Sequence, residues 1–203
     1  MSTLMTSFMG SSSEMLEYTK EATKKNVEVL NPNIKLSTDE FEVINGRIYF
    51  PLSIIKGLGE IKTKQCIEER TKAQFKDYED FVERTKDFLA TSLLENIIYS
   101  GALDDFGLTK KAMIENLKSI IDRSNYGFIK DMIKTDYTDE EFSYGILQEK
   151  ELEVIGINIK YNFYQQFASF YSKYNLVKIA NLSENKEART IGTVKRVRET
   201  KTK

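Results

Sequence analysis

Two helical patterns, over residues 52–56 and 60–71, meet at Gly57, Leu58 and Gly59, with lysines at positions 56, 62 and 64. Glycines one residue apart let the chain reverse sharply between helices and bring bare amides close to a ligand. The first turn of the second helix then offers unpaired N–H groups and a positive dipole end to a phosphate. The same residues also suit a packing corner, in which the glycines end one helix and the lysines face water. Either way the segment is a helix–turn–helix, and the residues around it must be arranged to pack against a helix pair.

Composition narrows what such a pair can serve. The chain has 203 residues, 40% of them hydrophobic, with 12 Phe and 11 Tyr, enough to build a buried core in one large or two small domains. No apolar run approaches the roughly 18 residues of a spanning helix, and no signal sequence is visible, so the expected location is cytoplasmic with no membrane partner. Histidine is absent and Cys66 is the only cysteine, which excludes intrachain disulfides, Cys/His zinc sites and Ser-His or Cys-His catalysis. Cys66 falls on the apolar face of the helix after Gly59 and reads as a packing thiol. With no P-loop and no plausible metal cluster, the expected catalytic and metal residues are none. The formal net charge is −1, yet residues 186–203 carry seven Lys or Arg against Glu187 and Glu199, a basic tail that suits either phosphate contact or a solvated strand face.

Along the chain, residues 1–10 read as the tail of an element that begins elsewhere. Ser11 to Ser13 offer N-caps for a helix reaching about Lys25, with Met15, Leu16, Tyr18 and Ala22 on its apolar side. Two short alternating runs within residues 41–50 flank Asn45 and Gly46, the pair preferred by a type I′ turn, which predicts a two-stranded hairpin packed on helices. Helices are expected at 52–56, 60–71, 78–86, 91–100 and 109–122. Asp77 and Asp80 open the third of these and Thr91 caps the fourth. Gly101 and Gly107 bracket a second, longer turn, and Lys110 and Lys111 again open the helix that follows, so the two units read as a tandem. Asp104 and Asp105 in that turn read as turn acids beside a helix start rather than a metal pair. Residues 124–150 are polar, with Asp136, Asp139, Glu140 and Glu141 clustered, and predict a loosely ordered connection ending in a helix. Residues 190–200 alternate Ile191, Val194 and Val197 with basic side chains, as one strand of an incomplete sheet. The fold class is therefore mainly α: a helix-hairpin-helix tandem with a small β-hairpin and a truncated β segment at the C-terminus.

In this order the segments resemble an internal piece of the C-family bacterial replicative DNA polymerases, the polymerase III alpha subunits, over essentially the whole chain. Residues 55–60 followed by Ile67 and Arg70 are similar to the family's first helix-hairpin-helix, and residues 75–81 with Arg84 to its next segment. Residues 94–107 resemble the family's Gly-Ala-aromatic-Asp stretch, and residues 151–156 the lead into its OB domain. The resemblance implies four parts: 1–30, the end of the fingers; 31–125, the hairpin plus tandem helix-hairpin-helix that grips duplex DNA; 126–180, a connector; and 181–203, the first OB strands. It implies Lys56, Gly57, Leu58, Gly59, Lys62, Lys64, Gly107, Lys110 and Lys111 as DNA-binding residues and double-stranded template-primer DNA and the remaining polymerase domains as partners. The palm aspartates that hold the catalytic metal in this family have no counterpart here, so no cofactor is expected in this segment, Mg belonging to the palm of a full-length enzyme. The chain is then inactive as a polymerase alone.

Several positions depart from the family pattern. Thr63 and Cys66 stand where a small apolar and an aliphatic residue are usual, and Lys110 or Lys111 meets a position where arginine brings bidentate geometry. Asn162 and Phe163 replace a His-Pro pair. A sliding clamp is a possible partner of such enzymes, but no clean clamp-binding peptide is present. Two rival classes stay open: a protein-interaction or scaffold segment, and a stand-alone helix-hairpin-helix repair protein.

Overall fold

Asp77 starts a helix in the way its side chain predicts: its carboxylate accepts from the Asp80 amide at 2.8 Å while Asp80 accepts from the Lys76 amide at 3.0 Å. The computed structural model describes residues 12–123, 135–162, 167–177 and 181–192. Among these, α1 (Ser12–Lys24) leads to β1 (Val29–Leu30), β2 (Glu42–Ile44), β3 (Arg47–Tyr49) and a 3-10 turn at Leu52–Ile54. Then come α2 (Gly59–Lys72), α3 (Tyr78–Thr85), α4 (Thr91–Tyr99), a second 3-10 turn at Asp104–Phe106, α5 (Lys110–Arg123), α6 (Tyr144–Ile155) and α7 (Ala168–Lys173). Among the described residues the chain is mainly helical with one small mixed sheet.

β2 and β3 pair antiparallel in the register Glu42↔Tyr49, Val43↔Ile48 and Ile44↔Arg47. Asn45 and Gly46 both take positive φ, 52° and 76°, as a type I′ turn requires. The expected two-stranded hairpin is in fact three-stranded, because β1 pairs in parallel with β3 through Val29↔Ile48 and Leu30↔Tyr49. The Ile48 amide donates to Glu28 and the Phe50 amide to Leu30, so an element two residues long gains its bonds from chain nearly 20 residues away. Two other expectations change. The helix expected over 52–56 is a 3-10 turn that Ile55 ends with extended geometry, and Thr91 is the first helical residue of α4 rather than its cap, Ala90 holding that position without a side-chain bond. Of the strand expected at 190–200, residues 193–200 lie outside the described residues, as do 1–10, and no strand forms at 190–192.

Residues 1–161 and 162–203 form two compact units. In the first, α2 to α5 close around Leu58, Cys66, Tyr78, Phe81, Leu94 and Ile97, all essentially inaccessible. The Tyr78 hydroxyl donates to the Met113 carbonyl at 2.7 Å, and Arg70, at the end of α2, donates to the carbonyls of Ile34 and Ser37 at 2.8 and 2.9 Å. A second cluster joins α1 to the sheet and α6 through Met15, Ala22, Phe41, Ile48, Phe50, Val154 and Ile155. Residues expected in three separate parts, 12–24, 41–50 and 151–157, thus share one core. In the second unit, α7 carries the ring pairs Phe167–Phe170 and Phe170–Tyr174, and the Val177 amide donates to the Arg189 carbonyl at 2.8 Å.

Candidate nucleic-acid interface

At the first turn, Ile55 leaves the 3-10 geometry, Gly57 takes φ +85° and Gly59 φ +58°, and α2 begins. Leu58, between the glycines, is driven into the core with 1% exposure, which turns the neighbouring backbone outward. A Cβ on Gly59 would meet nothing within 4 Å, so its requirement for glycine is conformational rather than steric. Among the described residues the amides of Gly57, Gly59 and Glu60 donate to no acceptor, and all three residues are exposed. These are the open donors of a helix start.

The turn is held in place from behind. The Lys56 amide donates to the Val154 carbonyl of α6 at 2.9 Å, and Asn96 of α4 donates to the Lys56 carbonyl at 2.9 Å. Its three lysines sit at the surface: Lys56 pairs with Glu153 at 3.4 Å, Lys64 with Glu60 at 2.6 Å, and Lys62 forms no ion pair among the described residues. The hydrogen bond from Lys64 lowers the Glu60 carboxyl from its ordinary value. Both partners of that pair are exposed, so water and salt screen it and it yields readily to a stronger anion. Cys66, one turn further along α2, is fully buried and burial pushes its thiol up to about 12, which fits the packing role.

The second turn has the same outline and different electrostatics. Gly107 takes φ +77° after the 3-10 turn, and Thr109 accepts from the Ala112 amide at 3.1 Å to cap α5. Lys110 is only 2% exposed, and its ammonium is bound by Asp104, which also accepts from Lys160 at 2.8 Å. Lys111 pairs with Glu140 at 2.5 Å. The amides of Lys110 and Lys111 donate to the two carboxylate oxygens of Glu141 at 2.9 and 3.0 Å. A cavity of about 260 Å³ lined by Asp104, Thr109, Lys110, Glu141, Lys160 and Tyr161 adjoins them. Asp105 turns away to accept from Asn33 at 2.6 Å, so the adjacent acids Asp104 and Asp105 serve different partners, as turn acids do.

Of the nine residues expected to bind DNA, Lys56, Gly57, Leu58, Gly59, Lys62 and Lys64 gather at the first turn, and Gly107, Lys110 and Lys111 at the second. Sequence reading missed Glu140 and Glu141 as partners of the second turn. Their stretch, expected to be loosely ordered, is held at residues 135–143 by Thr135, Tyr137 and Thr138. The density of acids there was the available signal, but the separation of 30 positions between Glu141 and Lys111 hid the pairing.

Residues 26–113, which include both turns, match the family of helix-hairpin-helix motifs. The chain is 30% identical over 216 aligned residues to the DNA polymerase III subunit alpha of Helicobacter pylori, an alignment covering 91% of this chain and 18% of that protein. It is 28% identical over 192 residues to the corresponding subunit of Staphylococcus aureus, covering 90% and 18%. The chain therefore spans 18% of the length of these curated relatives, and is homologous to one segment of them.

Proposed function

We propose that this chain, homologous to a segment of bacterial DNA polymerase III alpha subunits, holds duplex DNA by its phosphate backbone through the first glycine turn. The observation that carries the reading is the set of free amides at Gly57, Gly59 and Glu60 beside Lys56, Lys62 and Lys64, within the helix-hairpin-helix match. Donors and cations of this kind meet phosphate oxygens and carry no base information. In a replicative polymerase such a grip holds the template-primer duplex while nucleotidyl transfer, and the Mg it uses, belong to domains outside this chain. The remaining polymerase domains are then its protein partners and the bacterial cytoplasm its location. Among the described residues no helix is long and apolar enough to cross a membrane. Gly107, Lys110 and Lys111 join the interface only where Asp104, Glu140 and Glu141 give them up.

The test is a titration of the chain against primed and single-stranded DNA at several salt concentrations. Counterion release predicts that log affinity for duplex falls against log salt with a slope near −0.9 per neutralised phosphate. Affinity independent of salt, or no duplex binding at low salt, rejects the reading in favour of a protein-docking segment. Gly59→Val forces a β-branched residue into φ +58° and is expected to weaken duplex binding more than Lys25→Ala, which removes a cation paired with Glu21 on α1. Equal effects would make the turn purely structural.

A further inference from the structure

Residues 135–143 cross the start of α5 and occupy there the helix-start amides whose counterparts stay free at the first turn. Glu141 places one carboxylate oxygen on each of two successive helix-start amides, Lys110 and Lys111. Glu140 takes the Lys111 ammonium. Around them, Thr109 donates to the Thr138 carbonyl at 3.3 Å and Asn116 to the Asp136 carbonyl at 3.2 Å. The stretch is anchored at its start, where Thr135 and Tyr137 each donate to Glu79 at 2.7 Å and Tyr137 packs against the main core. It is anchored at its end by the start of α6 at Tyr144. Two oxygens on adjacent amides plus a negative charge on the neighbouring lysine satisfy the donors that a phosphate would use. The Glu140 side chain is 75% exposed, so its hold on Lys111 is screened by solvent.

We infer that residues 135–143 form an acidic strap that closes the second turn to phosphate as an internal competitor of the DNA backbone, leaving the tandem with one open and one closed turn. The inference rests on the duplex-binding reading above. It assigns Glu140 and Glu141 a task that the neighbouring Asp139 lacks: Asp139 is exposed and has no bonded or ion-paired partner among the described residues.

The experiment uses the full 203-residue chain and a primed DNA duplex, comparing the wild type with Glu140→Gln, with Glu140→Gln/Glu141→Gln, and with Asp139→Asn, each checked for native circular dichroism. Glu140→Gln alters only an exposed side chain and keeps the test valid where the double variant does not fold. Both glutamine variants are expected to bind duplex several-fold more tightly and with a steeper salt slope, by about 0.9 for each phosphate gained. Asp139→Asn, which removes the same charge from the same stretch, is expected to stay at the wild-type affinity and slope. Adding Lys111→Ala to Glu140→Gln is expected to cancel the gain. The strap is rejected if folded Glu140→Gln matches the wild type, if Asp139→Asn gains as much, or if the gain survives Lys111→Ala. Absence of duplex binding by every variant rejects the duplex-binding reading itself, a result distinguishable from the other three.

Discussion

Thr63 is completely buried in α2, and its hydroxyl has no hydrogen-bond partner among the described residues. A buried polar group without a partner costs about 1–3 kcal/mol, and replacing it by an apolar group of the same shape removes that cost. Thr63→Val is therefore expected to raise the unfolding free energy by about 1 kcal/mol, read as a higher urea midpoint with an unchanged m-value. A midpoint at or below that of the wild type would mean that the hydroxyl is satisfied by something in solution. Lys110 is the opposite case: equally buried, but with Asp104 at its ammonium, so its charge is compensated, and its removal would leave Asp104 with Lys160 alone. One buried side chain is a poor fit and the other a matched pair, though both precede or follow a helix-start glycine turn by only a few residues. Thr63 was legible as atypical from its place after Gly59. The burial of Lys110 was not, because a lysine at a helix start reads as a surface cation unless Asp104 and Tyr161 are known to lie over it.

Elements follow the same division between local and distant causes. The Asn45-Gly46 turn, the Asp77 cap and the left-handed glycines at 57, 59 and 107 are set by residues adjacent in sequence, and these features could be read before the fold was known. β1 could not, because two residues have no alternation to read and its partner β3 supplies the bonds. The strap escaped for the same reason, its order being imposed by α3 and α5. Glu79 of α3 shows how strongly: burial alone would push its carboxyl up, but hydrogen bonds from Thr135 and Tyr137 and the charge of Arg123 outweigh that, and its pKa is lowered. A carboxyl with a depressed folded pKa contributes stability that is fully present above its unfolded value of about 4.3 and lost as pH falls through the folded value. Glu79→Gln is thus expected to be less stable than the wild type at neutral pH, with the gap closing in acid. Urea midpoints at about pH 6 and about pH 3 check this; a gap of the same size at both would show that the loss comes from packing and not from charge.

For the first compact unit as a whole, the question is what makes two core clusters behave as one body. Ile54 packs against both, but the stronger tie is Glu151 of α6, which is fully buried. Its carboxylate accepts from the amides of Ile159, Lys160 and Tyr161, each at 3.0 Å, and from the side chain of Asn31 at 2.7 Å. Asn31 in turn donates to the Ser100 carbonyl at 2.8 Å, so a single acid links α6, the end of β1, the end of α4 and the chain that folds back over Asp104. The neighbouring Val154 carbonyl holds the Lys56 amide, which carries the same tie to the first glycine turn. Removing the carboxylate leaves three loop amides without an acceptor and takes one of two acceptors from each of the Asn31 and Asn158 side-chain amides, and hydrogen bonds to a charged group contribute about 1.5–3 kcal/mol each before the loop relaxes. Glu151→Ala is expected to lower the unfolding free energy by about 3 kcal/mol in total, since water recovers part of the loss. Because the bonds span both clusters, the loss should appear as one cooperative transition at lower denaturant, seen alike by far-ultraviolet circular dichroism and by tyrosine fluorescence. Amide exchange should accelerate at Lys56 and Leu58, the hydrogen-bonded amides of the glycine turn, as well as at 156–161, since that turn is held through α6. A variant in which only 156–161 exchanges faster, with the global midpoint unchanged, would mean that Glu151 fastens a loop and that the positioning of the DNA-facing turn rests on α4 through Asn96 alone.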